Sequence, residues 1–169
     1  MNLYDATVPI FSKHLKAVNQ WLDKATAFAE SKKFDVETLL QARLAPDQHP
    51  LVRQIQAACD QAKYAVAYLS GKPAPSHPDT EKTVAEARAR IKTMVDHLAT
   101  FTREDFNGAE ERACKPSWLP APMRGGDYLD HLALPNFHFH LTTAYSILRH
   151  NGVDLGKQDY ITELPFQKA

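Results

Sequence analysis

The chain has 169 residues, 44% of them hydrophobic and 24% charged, which predicts one globular domain over residues 1–169 with a substantial core. Twenty Lys and Arg residues balance twenty Asp and Glu residues, and no basic cluster stands apart, which argues against a nucleic-acid partner. No apolar run approaches the roughly 20 residues that span a bilayer, and no signal-peptide pattern is present, so we expect a cytoplasmic protein without a membrane partner.

An apolar residue recurs every three or four positions from Val8 to Ala29, which predicts a long first helix. Asp5 is the predicted N-cap. Pro9 is best tolerated near the first turn, where its missing amide hydrogen has no helical partner. We expect this helix to end near Lys33.

A short helix and a second long helix are predicted next. The segment Val36–Arg43 can form two helical turns before a proline-containing loop interrupts the chain. Asp47 is the predicted N-cap of the second long helix, and Pro50 lies near its first turn. The apolar stripe of this helix runs to Gly71, a residue suited to a C-cap.

The third helix follows a linker, residues 72–79, that contains three prolines. Thr80 is its predicted N-cap, and the helix is expected to end near Thr100. Residues 101–126 then lose helical periodicity and contain three prolines and three glycines. This long irregular segment has room for a short hairpin.

A fourth helix is predicted from Tyr128 to His150, with the pair Asn151-Gly152 as its stop signal. Pro135 removes one backbone hydrogen bond inside it and should kink or restart the helix. Together the elements predict an all-α four-helix bundle with a short extra helix between helices 1 and 2 and a long irregular segment before helix 4.

The two cysteines, Cys59 and Cys114, have no paired motif around them, so neither a disulfide framework nor a cysteine-based zinc site is expected. Cys59 lies one turn before Lys63, whose charge can lower a thiol pKa when both groups are partly exposed. A buried, inert thiol is the favoured interpretation.

The fourth helix carries the residues with the most chemical potential. His138 and His140 point to nearly opposite faces of a regular helix, whereas Asn136 and His140 are four residues apart and share a face. In a bundle, a third ligand for a metal ion would come from a facing helix, and Asp47 and His49 at the start of the second helix are the candidates. The alternative is that His140 is a structural histidine with hydrogen-bonded partners, and that Asp47 and His49 are only loop and cap residues.

Several ungapped motifs resemble a bacterial family, the domain-of-unknown-function family 1993. The resemblance extends from about residue 4 to residue 160 and rests on the motifs Gln41–Asp47, Gln54–Lys63, Leu134–Phe137 and Thr142–Gly152. This family looks like a branch of the DinB/YfiT-like superfamily of four-helix bundles. The resemblance therefore implies the same bundle fold.

Better-known members of that superfamily hold a divalent metal through three histidines, one on helix 2 and two spaced four apart on helix 4, and some are metal-dependent thiol transferases. The resemblance places His140 on the final ligand and Asn136 on the histidine four residues earlier. His49 or Asp47 is matched to the helix 2 ligand. Because Asn136 replaces a histidine, the three-histidine pattern is broken, and a weakened, altered or lost metal site is implied.

The sequence is therefore compatible with two functions. The first is a degenerate metal-dependent enzyme, similar to the thiol transferases, that acts on a small molecule with zinc, nickel or manganese as its cofactor. The second is a non-enzymatic, metal-free bundle that binds a small molecule or forms oligomers. We also expect a homodimer, because two-fold oligomers are common and the irregular segment contains the apolar residues Trp118, Leu119 and Met123.

Overall fold

The computed structural model describes residues 2–166 as a bundle of helices. Its four long helices are α1 (Val8–Lys32), α3 (Leu51–Ser70), α4 (Val84–Leu98) and α6 (Leu134–His150), and they correspond to the four predicted helices. The shorter elements are α2 (Glu37–Leu40), a 3₁₀ turn (Arg103–Phe106), β1 (Ala113–Cys114), β2 (Met123–Arg124), α5 (Gly125–Tyr128), a π-helical turn (Leu129–Ala133) and α7 (Lys157–Ile161). The predicted all-α four-helix bundle is confirmed.

The two ends of α1 differ in how well the sequence predicts them. Pro9 lies in the first turn as expected, but the N-cap is Thr7 rather than Asp5. Asp5 lies before the helix, where its carboxylate pairs with Arg103 at 2.6 Å. At the other end Lys33 adopts a left-handed conformation, with φ 58°, and its amide donates back to the last turn. The helix therefore ends where the sequence predicts.

The segment between α1 and α3 forms a single helical turn, so the prediction of two turns over Val36–Arg43 is wrong at its C-terminal end. α2 stops at Leu40 because the chain then turns toward α3, with the Leu51 amide donating to the Ala42 carbonyl at 3.0 Å. Both Leu39 and Leu40 are buried, so this one turn is fixed by packing against the core.

The start of α3 is set by Pro50, and the prediction of Asp47 as its N-cap is wrong. Pro50 occupies the N-cap position with an extended backbone, φ −69° and ψ 167°. Asp47 lies three residues earlier in an exposed turn, and no side chain caps the first helical amides. The C-terminal prediction is confirmed, because Gly71 takes a positive φ of 77° and its amide donates to the Ala67 carbonyl at 2.8 Å.

The N-cap of α4 is Thr83, not the predicted Thr80. The Thr83 hydroxyl accepts from the Glu86 amide at 3.1 Å, and the Glu86 carboxylate accepts from the Thr83 amide at 3.0 Å. Thr80 has a threonine three residues later and so lacks the carboxylate that completes such a reciprocal pair. The helix ends at Leu98, within two residues of the prediction.

The expected hairpin is present in the irregular segment. Strands β1 and β2 pair antiparallel, with Ala113 opposite Arg124 and Cys114 opposite Met123. Cys114 is fully buried, so one face of this small hairpin packs on the core.

Pro135 falls in the first turn of α6, directly after the π-helical turn. The Leu134 amide donates five residues back, to the Leu129 carbonyl, which widens the backbone where the proline amide is missing. The predicted disturbance at Pro135 therefore takes the form of this π-helical turn, and the backbone stays helical from Gly125 to His150. The predicted stop is confirmed, because α6 ends at His150 and Gly152 follows with φ 97°.

Apolar side chains from all four long helices form one core. α3 is central, since it packs against α1, α4 and most extensively against α6. The short helix α7, which the sequence did not predict, is held against α1 by the Trp21 indole, which donates to the Asp159 carbonyl at 2.9 Å. Among the helices of residues 2–166, none combines the length and apolar character needed to cross a membrane.

Candidate functional site

The seam between α3 and α6 contains a hydrogen-bonded pair, Gln54 and His140. The side chain of Gln54 is almost fully buried, and its Oε1 lies 2.8 Å from His140 Nδ1. The Gln54 amide nitrogen donates to the His49 carbonyl at 3.1 Å, which fixes the orientation of the amide. Because an amide oxygen can only accept, His140 Nδ1 must carry the proton. The lone pair of this imidazole is therefore on Nε2.

The charge state of His140 agrees with that tautomer. Burial lowers the pKa of His140, and the nearby His49 ring and Arg53 guanidinium lower it further. The imidazole is half-buried and neutral at physiological pH. Its Nε2 makes no hydrogen bond to another residue of the described range 2–166 and is available as an acceptor.

The other predicted site residues, His49, Asp47 and Asn136, relate to this pair in different ways. His49 is exposed and contributes its backbone carbonyl, while its ring is close enough to affect the pKa of His140. Asp47 is exposed in the turn before α3, where it makes no hydrogen bond or ion pair with the rest of the described chain. Asn136 is half-buried one turn before His140 and lies on the same face of α6.

This set of donors does not fit a divalent metal ion. Within residues 2–166 no three His, Cys, Asp or Glu side chains are arranged so that they could hold one. The imidazoles near the seam are those of His140 and His49, two rather than three. The other polar groups are the carboxamides of Gln54 and Asn136, and the Gln54 oxygen is already occupied by His140. Zinc, nickel and manganese sites are built from imidazole, thiolate and carboxylate ligands, which are stronger donors than carboxamides.

Gln54 is the site residue that the sequence did not identify. It lies between Leu51 and Ile55, two residues of the apolar stripe of α3, and so has a position that turns it toward the bundle. A glutamine on a buried helix face is uncommon, because its amide must find partners there. The sequence signal that points to Gln54 is therefore a glutamine within the apolar stripe of α3.

A second polar cluster, which we call the ionic cluster, lies between α3, α4 and the linker that precedes α4. The buried Arg90 guanidinium contacts Asp60 at 2.9 Å, Asp79 at 3.1 Å and Glu81 at 3.2 Å. The buried Lys63 ammonium contacts Asp60 at 2.8 Å. Each charge in this cluster therefore has an opposite partner, and the segment between α3 and α4 is fixed to the bundle through Asp79 and Glu81.

The neighbouring Cys59 is an inert thiol, as favoured from the sequence. It is fully buried, and burial raises the pKa of Cys59 to about 12 despite the nearby Arg90. A thiol with such a pKa is almost entirely protonated at neutral pH and is a poor nucleophile.

His138 belongs to a third cluster, on the opposite side of α6 from His140, as its position in the helix predicts. Its Nδ1 lies 3.0 Å from the Tyr160 hydroxyl on α7, and the Thr142 hydroxyl lies 3.2 Å from the same oxygen. The ring of His14 on α1 packs edge-on against His138, 5.3 Å between centroids. This cluster attaches α7 to the bundle.

Comparison with known proteins agrees with this fold. The model of a domain-of-unknown-function family, DUF1993, matches residues 3–161. A search of curated proteins found no match. Among solved structures, the crystal structure of a DinB family member protein from Shewanella denitrificans is 48% identical to this chain, with a TM-score of 0.94, over 99% of this chain and 96% of that one. The chain therefore belongs to the DUF1993 family, a family of DinB-like four-helix bundles.

Proposed function

We propose that this bundle binds a small organic molecule at His140 without a metal ion. The observation that carries the proposal is the 2.8 Å contact between His140 Nδ1 and Gln54 Oε1, which holds the proton on Nδ1 and leaves the Nε2 lone pair free. A molecule that donates a hydrogen bond, such as an alcohol or a phenol, satisfies that lone pair. The carboxamide of Asn136, one turn away, can accept or donate a second hydrogen bond.

The charges around the pair favour a neutral ligand. The lowered pKa of His140 keeps the imidazole uncharged, and the carboxamides of Gln54 and Asn136 carry no charge. The nearby Arg53 guanidinium is engaged by Asp79 and by Gln56 Oε1, the latter at 3.3 Å. The seam therefore offers directional hydrogen bonds rather than a net charge.

The second candidate is the metal-dependent thiol transfer that the family resemblance implies. One observation favours it: metal-binding histidines commonly donate their other ring nitrogen to a protein acceptor, as His140 does to Gln54. Against it stands Asn136, whose carboxamide lies at the position on α6 where the resemblance implies a second imidazole ligand. We therefore favour the metal-free function.

Metal uptake separates the two candidates. Chelator-treated protein should be incubated with zinc, nickel or manganese, desalted and analysed by inductively coupled plasma mass spectrometry. We expect no stoichiometric metal in the parent. One metal ion per parent chain that is lost in His140→Ala, but retained in the control His150→Ala, would overturn the metal-free proposal.

Ligand binding is tested by nuclear magnetic resonance of the ¹⁵N-labelled imidazoles. The parent should show the Nδ1–H tautomer for His140, and titration with phenol should shift the His140 Nε2 signal in a saturable way. The signals of exposed His150 serve as the internal control. A parent in which phenol and small alcohols leave the His140 signals unchanged would contradict the proposed ligand chemistry.

A further inference from the structure

Two adjoining clefts lie at the C-terminal end of α3, and the rings of Tyr64 and Tyr68 line both. The first cleft, with a volume of about 260 Å³, continues to Trp118 and Tyr128, and we call it the aromatic cleft. The second, with a volume of about 480 Å³, continues to the linker and the hairpin, and we call it the basic cleft. A ligand that bridges the shared tyrosines can occupy both.

The walls of the aromatic cleft are rings and neutral polar groups. Tyr68 contacts Tyr128 edge to face, with centroids 5.6 Å apart, and lies 6.4 Å from the ring of Tyr64. Trp118 lies at the rim with 66% of its surface exposed, an unusually large exposure for an indole. Burying that ring against a ligand would remove apolar area from water.

The Tyr128 hydroxyl is a polar group of the aromatic cleft without a hydrogen-bond partner among the described residues. The side chain is 2% exposed and lines the cleft, yet its hydroxyl makes no hydrogen bond to another residue of the described range 2–166. Burial raises the pKa of Tyr128, so the group remains a neutral hydroxyl. A ligand whose ring carries a hydroxyl or another polar substituent can pair with it there.

Lys72 and Arg112 line the basic cleft, which has no acidic side chain among the lining residues of the described chain. The Lys72 ammonium pairs with Asp105 at 2.7 Å, outside the cleft lining. The Arg112 guanidinium donates to the Leu69 carbonyl and, at 3.4 Å, to the Asn107 carbonyl. An ammonium has three donors and a guanidinium five, so both cations retain donors for an anion.

We propose that the two clefts form one site for an aromatic carboxylate, whose ring packs among Tyr64, Tyr68 and Trp118 and whose carboxylate meets Lys72 and Arg112. The two cations and the single carboxylate of Asp105 leave one net positive charge, which matches a monoanion. An organic cation suits the site less, because the Lys63 ammonium already lies 4.6 Å from the centroid of the Tyr64 ring. This site is separate from the His140 seam and does not depend on the function proposed there.

The test compares three probes with the same ring and different charges by isothermal titration calorimetry: 2-naphthoate, 2-naphthamide and 2-naphthyltrimethylammonium. We expect 2-naphthoate to bind most tightly. Lys72→Gln should weaken 2-naphthoate about fivefold and leave 2-naphthamide unchanged, since an exposed ion pair contributes about that much. The control Lys115→Gln, an exposed lysine outside the cleft lining, should leave both unchanged.

Two further variants test the ring contacts. Trp118→Ala should weaken 2-naphthoate and 2-naphthamide by the same factor, because both probes place the same ring against the indole. Tyr128→Phe should leave both affinities unchanged, because the naphthalene ring has no polar atom that could pair with the hydroxyl. His140→Ala should have no effect, which distinguishes this site from the seam. Failure of 2-naphthoate to bind, equal or tighter binding of the cationic probe, or binding that survives Trp118→Ala unchanged would each overturn the proposal.

Discussion

The His140 seam and the ionic cluster are both polar groups packed against α3, but they differ in how completely their buried polar groups are paired. In the ionic cluster, Arg90 has three carboxylates around it and Lys63 has one, so the strong charges compensate one another. At the seam, Gln54 and His140 are neutral and use only part of their hydrogen-bonding capacity. The ionic cluster therefore stabilises the fold, whereas the His140 seam keeps hydrogen-bonding capacity that the described protein groups do not use.

The largest expected effect tests the structural role of the ionic cluster. Arg90→Met removes the guanidinium and leaves Asp60, Asp79 and Glu81 without their shared partner. Breaking a buried ion pair in this way costs about 3–5 kcal/mol of unfolding free energy, which denaturant titration measures. Arg88→Met on the same helix is the control, because Arg88 forms a more exposed pair with Asp23 and should cost less than about 1 kcal/mol. Equal losses in the two variants would refute a special role for the cluster.

A somewhat smaller effect concerns pH and the cluster around His14. Burial lowers the pKa of His14 to about 4, with the neighbouring His138 and Lys13 contributing, from 6.5 for an ordinary histidine. Between these values the unfolded chain takes up a proton that the folded chain does not. The unfolding free energy should therefore fall as the pH decreases from 6.5 to about 4, by up to ~3 kcal/mol for this one residue.

The variant His14→Gln isolates that contribution. Its unfolding free energy, measured by denaturant titration at several pH values, should decrease less steeply than that of the parent between pH 6.5 and about 4. The control His150→Gln changes an exposed ring and should retain the slope of the parent. An unchanged slope in His14→Gln would show that other groups cause the acid sensitivity.

At the seam, the expected effect on stability is smaller still. Gln54→Leu leaves the His140 Nδ1–H and the His49 carbonyl without their partners, which should cost about 1–3 kcal/mol of unfolding free energy. The same variant should release the tautomer, so that the imidazole ¹⁵N shifts of His140 move toward a mixture of the two protonated nitrogens. Gln20→Leu, on an exposed position of α1, is the control for adding a leucine. Retention of the Nδ1–H tautomer in Gln54→Leu would contradict the assigned role of Gln54.

The sequence predicts those features that depend on residues close together in the chain. The apolar stripes predict the four long helices, and Gly71 and the Asn151-Gly152 pair predict helix ends that the structure confirms. At Pro135 the structure shows a π-helical turn rather than a break. Several residues near each helix start can act as caps. At α4 the deciding signal is local, the Thr83–Glu86 pair, whereas at α1 a tertiary contact is involved. Asp5, for example, pairs with Arg103 across a sequence separation that no local pattern reveals.

The candidate site was predictable on one helix only. His140 and Asn136 share a face of α6 because of their spacing, whereas the partner of His140 depends on the register between α3 and α6, which sequence periodicity does not specify. The sequence therefore indicates Asp47 and His49 rather than Gln54.

The homodimer stays a prediction. Of the residues that motivated it, Met123 packs against the core of its own chain, and Trp118 is exposed.

The smallest effect tests how the linker attached to the ionic cluster is joined to α4. Thr83→Ala removes the hydroxyl that accepts from the Glu86 amide and should cost about 1 kcal/mol of unfolding free energy. Thr80→Ala, at the position that the sequence favoured, removes no hydrogen bond of the described chain and should cost less than about 0.5 kcal/mol.

Combining Thr83→Ala with Arg90→Met distinguishes two ways of holding the linker. If the cap and the ionic cluster act independently, their costs add; if the cluster alone positions the start of α4, the cap contributes little once Arg90 is lost, and the double variant is nearly as stable as Arg90→Met.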